Sequence, residues 1–256
     1  MQELTSVLQG FSTLNLTQIG GAALMKRKDT KFVLSVQLLP GLLQQVQSHY
    51  ALLEVEGQSI QNYRTRYLDT HDWRFYLHHH NQRINRIKIR YRSYLDSDLT
   101  FLEVKRKDQK GQTNKSRKAV AAIEASFSSE QDDFITLETD VNSNHLAPTL
   151  DSTFQRITLA APHRQERATI DINLNYRDLH RPELQQLAIV EVKQGNARQG
   201  SPLFQALKAT GHRPLRISKY CTGIALLHPE LKQNRFKSVF LQLNRILHGS
   251  LVQPAA

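Results

Sequence analysis

Several short segments of this sequence alternate basic and apolar residues, and this pattern limits the folds that the chain can adopt. In one segment the basic positions are Arg86, Lys88, Arg90 and Arg92. The positions between them hold Ile87, Ile89 and Tyr91. A period of two is that of a β-strand, in which successive side chains point to opposite faces. The segment is therefore predicted to form a strand with one cationic and one apolar face.

The same alternation recurs along the chain, with carboxylates at fixed places among the cations. The charged faces of three further segments hold Glu103, Lys105 and Lys107, then Arg167, Thr169 and Asp171, then Glu191 and Lys193. A closed barrel explains this recurrence, because interior and exterior alternate along every strand of a barrel. We predict a mainly β (α+β) fold: a closed antiparallel barrel with a charged interior and helices packed outside. Strands that show their charges to solvent are the alternative.

Helical segments interrupt the series of strands. Leucines and valines recur at helical spacing in residues 35–50, and residues 201–210 are followed by the stop signal Gly211. A third helical segment is expected after residue 128. The length of 256 residues allows one large core. We expect a helical lead over residues 1–25 that ends near Gly20 and Gly21, one tunnel domain over residues 26–240, and a tail over residues 241–256.

The charge balance favours a polyanionic partner. Lys and Arg outnumber Asp and Glu by 34 to 23, which gives a net charge of +11. Nucleic acid, polyphosphate and an anionic membrane surface all fit this charge. The single cysteine, Cys221, excludes an internal disulfide and favours a reducing compartment, so we expect a cytoplasmic protein. Neither a membrane-spanning segment nor a secretory signal is expected.

The order of the motifs resembles that of a known family. The segments are RKDTKF, YLDT, KIRYRSY, FLEVKRK, KGQTNKSR, QRIT, ERATID, VEVK and SKYCTGIALLHPELKQNRFK, over roughly residues 26–237. Together they resemble the vacuolar transporter chaperone (VTC) domain polyphosphate polymerases of the CYTH-like triphosphate tunnel metalloenzyme superfamily. The resemblance implies an eight-stranded antiparallel tunnel in which ATP donates its γ-phosphate to a growing polyphosphate chain.

The resemblance also implies roles for individual residues. The implied catalytic residues are Lys31, Arg90, Arg92, Lys105 and Glu191. The implied phosphate-binding and polyphosphate-binding residues are Lys115, Arg117, Arg156, Arg167 and Lys219. Lys88 and Lys193, on the charged faces of the same strands, are predicted to bind phosphate with them. Glu191 would hold a divalent metal, Mg²⁺ or Mn²⁺, which suits a phosphoryl transfer that needs positioning and charge neutralisation. Asp29 stands where the family has a glutamate, and this shorter side chain puts a contact there in doubt.

Other functions need the same residues. A triphosphate or polyphosphate hydrolase would use the same cations and metal, with water as the acceptor. A non-catalytic polyphosphate-binding module would need the cations alone. Nucleic acid is not expected as a partner, because few aromatic residues interleave with the cations and base stacking has few platforms. The expected ligands are ATP and either polyphosphate or pyrophosphate. A membrane-protein partner is compatible with the sequence, although the chain itself is not expected to be integral to the membrane.

Three smaller groups receive structural interpretations. The run His78, His79 and His80 is predicted to be solvated. Asp69 is expected to orient backbone or a neighbouring arginine, Arg64 or Arg66. The cations Lys232, Arg235 and Lys237 are expected to form a solvated face.

Overall fold

The computed structural model describes residues 1–19, 28–109, 112–124, 126–195 and 200–248. The strands in this part of the chain are β1 (Ser12–Leu14), β2 (Lys28–Ser35), β3 (Ala51–Leu53), β4 (Ile60–Thr70), β5 (Arg86–Tyr94), β6 (Leu99–Lys107), β7 (Thr113–Val120), β8 (Leu146–Ala161), β9 (Glu166–Tyr176) and β10 (Leu187–Gln194). The α-helices are α1 (Gln2–Gln9), α2 (Leu16–Ile19), α3 (Leu39–Val46), α4 (Arg74–His80), α5 (Ser129–Glu138), α6 (Pro202–Ala209), α7 (Lys219–Leu227) and α8 (Lys237–His248).

Eight of these strands form one antiparallel path in the order β2, β10, β9, β8, β4, β5, β6, β7. The remaining two are short: β1 pairs in parallel with β3, and β3 pairs with β8. Within the described residues, β2 and β7 end the path and are not hydrogen-bonded to each other. The predicted closed barrel is therefore wrong in its closure. Alternation reports which face of a strand is charged, but it carries no information about whether the two edges of a sheet meet.

The sheet nevertheless curls around its charged face. The Lys31 ammonium on β2 donates to the Ile217 carbonyl at 3.1 Å, and the Lys88 ammonium on β5 donates to the Ser218 hydroxyl at 2.9 Å. Five strand spacings separate β2 from β5, about 24 Å in a flat sheet at roughly 4.8 Å each. Two side chains so far apart reach consecutive residues only if the sheet bends. We call the enclosed charged face the basic trough.

The outer face of the sheet is apolar and is covered by helices, as predicted. Side chains of β2, β8, β9 and β10 pack against α1, α3 and α6 in one buried cluster, which includes Phe32, Ile170, Val190, Leu43 and Leu207. A second cluster covers β5 and β6 beneath α5 and includes Ile89, Leu102 and Ile135. The N-terminal helix α1 contributes the buried residues Leu4 and Leu8, so the lead packs on the outside. The predicted break at Gly20 and Gly21 lies outside the described residues.

Two helices pack against the inner face, which the sequence did not predict. An apolar cluster joins α7 and α8 to inner positions of the strands and contains Val33, Leu150, Tyr176, Ile189, Tyr220, Ile224, Val239 and Leu243. Gly223 permits the close approach of α7, since a Cβ atom there would lie 2.7 Å from side-chain atoms of both Leu150 and Tyr176. The apolar part of the inner face is thus covered by these two helices.

The other predicted helices are present. Residues 35–50 form α3 between two short 3₁₀ turns, and α5 and α6 occupy the other two predicted segments. Gly211 has a φ of +79°, the left-handed conformation that ends a helix. α8 runs across the predicted boundary at residue 240. None of the helices described by the structure is both long and apolar enough to cross a membrane.

Candidate functional site: a basic trough

Strand pairing arranges the charged side chains of β5, β6 and β7 in transverse rows. One row contains Lys88, Lys105 and Lys115, and the next contains Arg90, Glu103 and Arg117. A third row contains Arg92 and Phe101. On the other wall, Lys31 on β2 pairs with Glu191 on β10, and Lys193 on β10 pairs with Arg167 on β9. The side chains that the family resemblance implied therefore share one face of the sheet.

A buried carboxylate organises the first group of cations. Glu103 is fully buried and accepts two hydrogen bonds from the Arg90 guanidinium, at 2.8 and 2.6 Å, and one from Lys115. Burial opposes ionisation of Glu103, but Arg90, Arg92 and Lys115 outweigh it and hold the pKa of the carboxyl well below its usual range. Glu103 is therefore an anion that fixes Arg90 and Lys115 in place.

A second buried carboxylate organises the opposite wall. Asp171 accepts a bidentate pair of hydrogen bonds from Arg156, at 2.6 and 2.8 Å, and a further bond from Lys219. Burial raises the pKa of Asp171, yet Arg156 and Lys219 lower it more, so this carboxyl also stays ionised. Burial lowers the pKa of Lys219 to about 8, although Asp171 opposes the change. The bidentate geometry locks the Arg156 guanidinium against the wall.

Glu191, the implied metal ligand, lies between two lysines. Lys193 donates to one carboxylate oxygen, and the Lys31 ammonium lies 3.8 Å from the other. Burial raises the pKa of Glu191, but Lys31 and Lys193 lower it to about 2, so the group is an anion at neutral pH. Within the described residues no group of three or more His, Cys, Asp and Glu side chains has the arrangement of a metal site. A metal at Glu191 would accordingly take most of its ligands from elsewhere.

Arg92 and Lys105 are cations of the trough that have no carboxylate partner within the described residues. Arg92 is buried, makes no ion pair, and has an Nε atom without a hydrogen-bond partner. Burial, reinforced by Arg90 and Arg156, lowers its pKa to about 10. Burial, together with repulsion from Arg90 and Arg92, holds the pKa of Lys105 well below its usual range. A buried cation without a counterion costs free energy, so both groups indicate a place for an added anion.

The remaining predicted site residues lie around these clusters. Burial lowers the pKa of Lys88 to about 8, and its ammonium is held by Ser218, the N-cap of α7. The Arg117 guanidinium lies 4.7 Å above the ring of Phe101 and is exposed. Asp29 pairs with Lys193 across β2 and β10. The implied residues on the strands thus share one face of the sheet, and Lys219 reaches this face from α7.

Sequence reasoning missed the aromatic side chains of the trough and the role of Asp171. Tyr63 and Phe154 stack at 5.1 Å between their ring centroids, and the Arg156 guanidinium lies 5.1 Å from the Tyr63 ring. Tyr94 packs 4.9 Å from Tyr63. A period of two from the basic positions would have found Phe154 and Tyr94, which lie two residues from Arg156 and Arg92 on their strands. Tyr63 lies opposite these two rings and could be placed only by the strand register. The view that few aromatic residues interleave with the cations is therefore wrong for these strands.

The smaller groups have structural roles. Asp69 is fully buried and accepts hydrogen bonds from the backbone N–H groups of Thr70, Phe75 and Tyr76 and from the Tyr220 hydroxyl. It therefore orients backbone, as predicted, and joins α4 to α7. The prediction of a solvated histidine run is wrong: the run lies on α4, where His80 is 1% exposed and His78 and His79 are half-buried.

Comparison with known proteins agrees with this geometry at the family level. The family model described as the VTC domain matches residues 26–228. No curated protein sequence matches the chain.

Solved structures of similar shape share little sequence with the chain. A protein of Bacillus halodurans, called a "putative adenylate cyclase", is 14% identical, with a TM-score of 0.49 and coverage of 83% of this chain and 100% of its own. HpAC1 of Hippeastrum, called a "putative adenylyl cyclase" with a dominant triphosphatase activity, is 11% identical, with a TM-score of 0.46 and coverage of 81% of this chain and 98% of its own. At such identities and TM-scores these neighbours assign neither an activity nor a ligand.

Proposed function

The chain belongs to the VTC domain family, and we propose that it is an ATP-dependent polyphosphate polymerase. In this proposal the γ-phosphate of ATP is transferred to the end of a polyphosphate chain that lies in the basic trough. The observation that carries the proposal is the pair Arg92 and Lys105, cations in the trough without carboxylate partners among the described residues. Other cations line the same face, so a linear polyanion would meet several of them at once.

The cations would have different tasks according to how they are held. Arg90 and Arg156 are fixed by Glu103 and Asp171, so they present remaining N–H groups in a defined direction. Lys115 and Lys88 carry compact charges on long stems, which suits a chain that shifts by one phosphate after each transfer. Transfer of a phosphoryl group asks chiefly for such alignment and charge neutralisation. The site therefore needs no covalent intermediate on the protein.

The donor chemistry at Glu191 fits a divalent cation held partly by the substrate. An ionised carboxylate in the trough is a hard oxygen ligand, and Mg²⁺ commonly combines one or two carboxylates with substrate phosphates and waters. Mg²⁺ or Mn²⁺, when bound, would withdraw charge from the phosphate oxygens. Lys31 and Lys193 would then exchange part of their contact with Glu191 for contact with phosphate. We assign Glu191 as the residue that holds the ion.

Hydrolysis is the second candidate, because water could replace the polyphosphate end as acceptor without a change in the trough. The absence of hydrogen bonds between the described edge strands β2 and β7 favours this candidate, since unpaired sheet edges can be reached by water. The two chemistries share their cations and their metal, so residue identities do not separate them.

One assay separates the candidates. The purified protein is incubated with ATP and Mn²⁺ or Mg²⁺, and ADP, inorganic phosphate and polymer are resolved. Polymer with a matching amount of ADP supports the polymerase. Phosphate and ADP without polymer, in the presence and absence of added pyrophosphate, would establish the hydrolase. Binding of tripolyphosphate without turnover would reduce the function to binding alone.

A further inference from the structure

An aromatic and apolar lip continues the basic trough at the β5–β6 hairpin. Along β5 the inner positions run Lys88, Arg90, Arg92 and then Tyr94, and along β6 they run Lys105, Glu103, Phe101 and then Leu99. The character of the inner face thus changes from cationic to apolar within two rows. The two rings meet edge to face, with 5.9 Å between their centroids.

The outer part of this lip is open to solvent, whereas Tyr94 also packs against the inner apolar cluster. Tyr94 and Phe101 are half-buried, and Leu99 is 52% exposed. Phe101 belongs to none of the apolar clusters formed by the described residues. Its neighbour on β7 is the small residue Ala119. The half-buried Phe101 ring, at the edge of a phosphate-binding face, is suited to contact an apolar group of a ligand.

Arg117 completes the arrangement. Its guanidinium lies 4.7 Å from the centre of the Phe101 ring, and it belongs to the row next to Phe101. A guanidinium plane beside an aromatic ring is a common setting for a stacked base. From Phe101 to Lys105 the strand covers four residues, about 13 Å at roughly 3.3 Å per residue. A base, a ribose and a triphosphate extend over such a length.

We propose that Tyr94, Phe101 and Arg117 form a nucleobase subsite, which takes the base of a nucleoside triphosphate while its phosphates lie along Arg92, Arg90 and Lys105. This inference rests on the proposed function, since it assumes that the trough holds phosphates. It adds the orientation of the donor: the base lies at the β5–β6 hairpin and the terminal phosphate points toward Lys105. It also implies preference for a nucleotide over an inorganic polyphosphate of equal charge.

The test compares ATP with tripolyphosphate, which lacks a base. Dissociation constants of both are measured by calorimetry for the wild type, Phe101→Leu, Tyr94→Leu and Phe101→Trp. Stacking on an aromatic ring contributes about 1–3 kcal/mol per base, so each leucine variant should weaken ATP about tenfold. Tripolyphosphate should change by less than about twofold, and Phe101→Trp should keep the affinity of the wild type for ATP. Phe127→Leu, which removes a half-buried ring stacked on Tyr91 outside the trough, is the matched control.

Each outcome decides between the two levels of the proposal. Equal weakening of both ligands, or no change in either, overturns the nucleobase subsite. If the wild type does not bind tripolyphosphate but the leucine variants still weaken ATP binding, the nucleobase subsite is supported and the proposed binding of polyphosphate is contradicted. If the wild type binds tripolyphosphate and neither leucine variant changes ATP affinity, polyphosphate binding is supported and the nucleobase subsite is contradicted. Melting temperatures of all variants, measured beside the control, identify any loss of affinity that comes from unfolding.

Discussion

The replacement Glu103→Gln tests whether the trough is an electrostatic unit. The glutamine has nearly the shape of the glutamate, so packing is kept while one buried negative charge is removed. Arg90 and Lys115 then lose the carboxylate that they both contact, and Arg92 loses the nearest compensation for its own charge. Removal of one partner from a buried ion pair costs about 3–5 kcal/mol, because a buried charge is left unpaired.

For a chain of this size the change should be large in a thermal scan. One kcal/mol corresponds to about 2–4 °C for domains of 150–250 residues, so the melting temperature should fall by about 6–20 °C. Glu130→Gln is the matched control, since Glu130 pairs with Lys118 with a side chain that is 76% exposed. An exposed pair contributes about 0–1 kcal/mol. The fall in melting temperature caused by Glu103→Gln should be smaller when tripolyphosphate is present, because the anion replaces the missing negative charge.

The reasoning fails if the two glutamine variants melt within about 2 °C of each other, the scale of roughly 1 kcal/mol in a domain of this size. It also fails if chloride at equal ionic strength restores as much of the melting temperature as tripolyphosphate does. General screening at the surface would explain that result. Circular dichroism of both variants at low temperature confirms that the comparison is between folded proteins.

Three further predictions concern the ligand. Glu191→Gln should abolish ATP turnover without lowering the melting temperature by more than a few degrees; turnover within about threefold of wild type would contradict the metal assignment. Arg92→Ala should weaken tripolyphosphate by about 1.5–3 kcal/mol in calorimetry, the range of hydrogen bonds to charged groups, and unchanged affinity would place this side chain outside the binding face. Tripolyphosphate affinity should fall as the pH rises through about 8, where Lys88 and Lys219 lose protons, and a flat profile from pH 7 to 9 would contradict this.

Much of the frame could be predicted from alternation alone. A period of two predicts the segments that form β5, β6, β9 and β10, and it predicts that the apolar face of each lies beneath helices. Closure could not be predicted, because the hydrogen bonds between edge strands leave no trace in the order of polar and apolar residues. The edge strand β7 does carry Lys115, Arg117 and Lys118, and charged residues are a common feature of exposed edges.

The candidate site shows the same division. Family resemblance named Arg90, Arg156 and Glu191, and strand register brings them to one face. Resemblance named no partner for them, so the pairing of Arg156 with Asp171 appeared only with the strand pairing of β8 and β9. The position of α7 inside the sheet also depends on tertiary contacts, since its helical pattern is equally suited to the outer face.

A trough that binds a polyanion must be stable without its ligand and must also retain positive charge for the ligand. Different described residues meet these two requirements. Without ligand, converging cations repel and destabilise the fold. Glu103, Asp171 and Glu191 offset this repulsion locally, each with two basic partners. The pKa values of these carboxyls are lower in the folded protein than in the unfolded chain. Their stabilisation is therefore present at neutral pH and is lost as the pH falls below the unfolded-state pKa of about 4. Complete neutralisation would leave nothing for the ligand. Arg92 and Lys105 keep uncompensated charge in the interior, so the free energy that they cost the empty protein is recovered when phosphate binds.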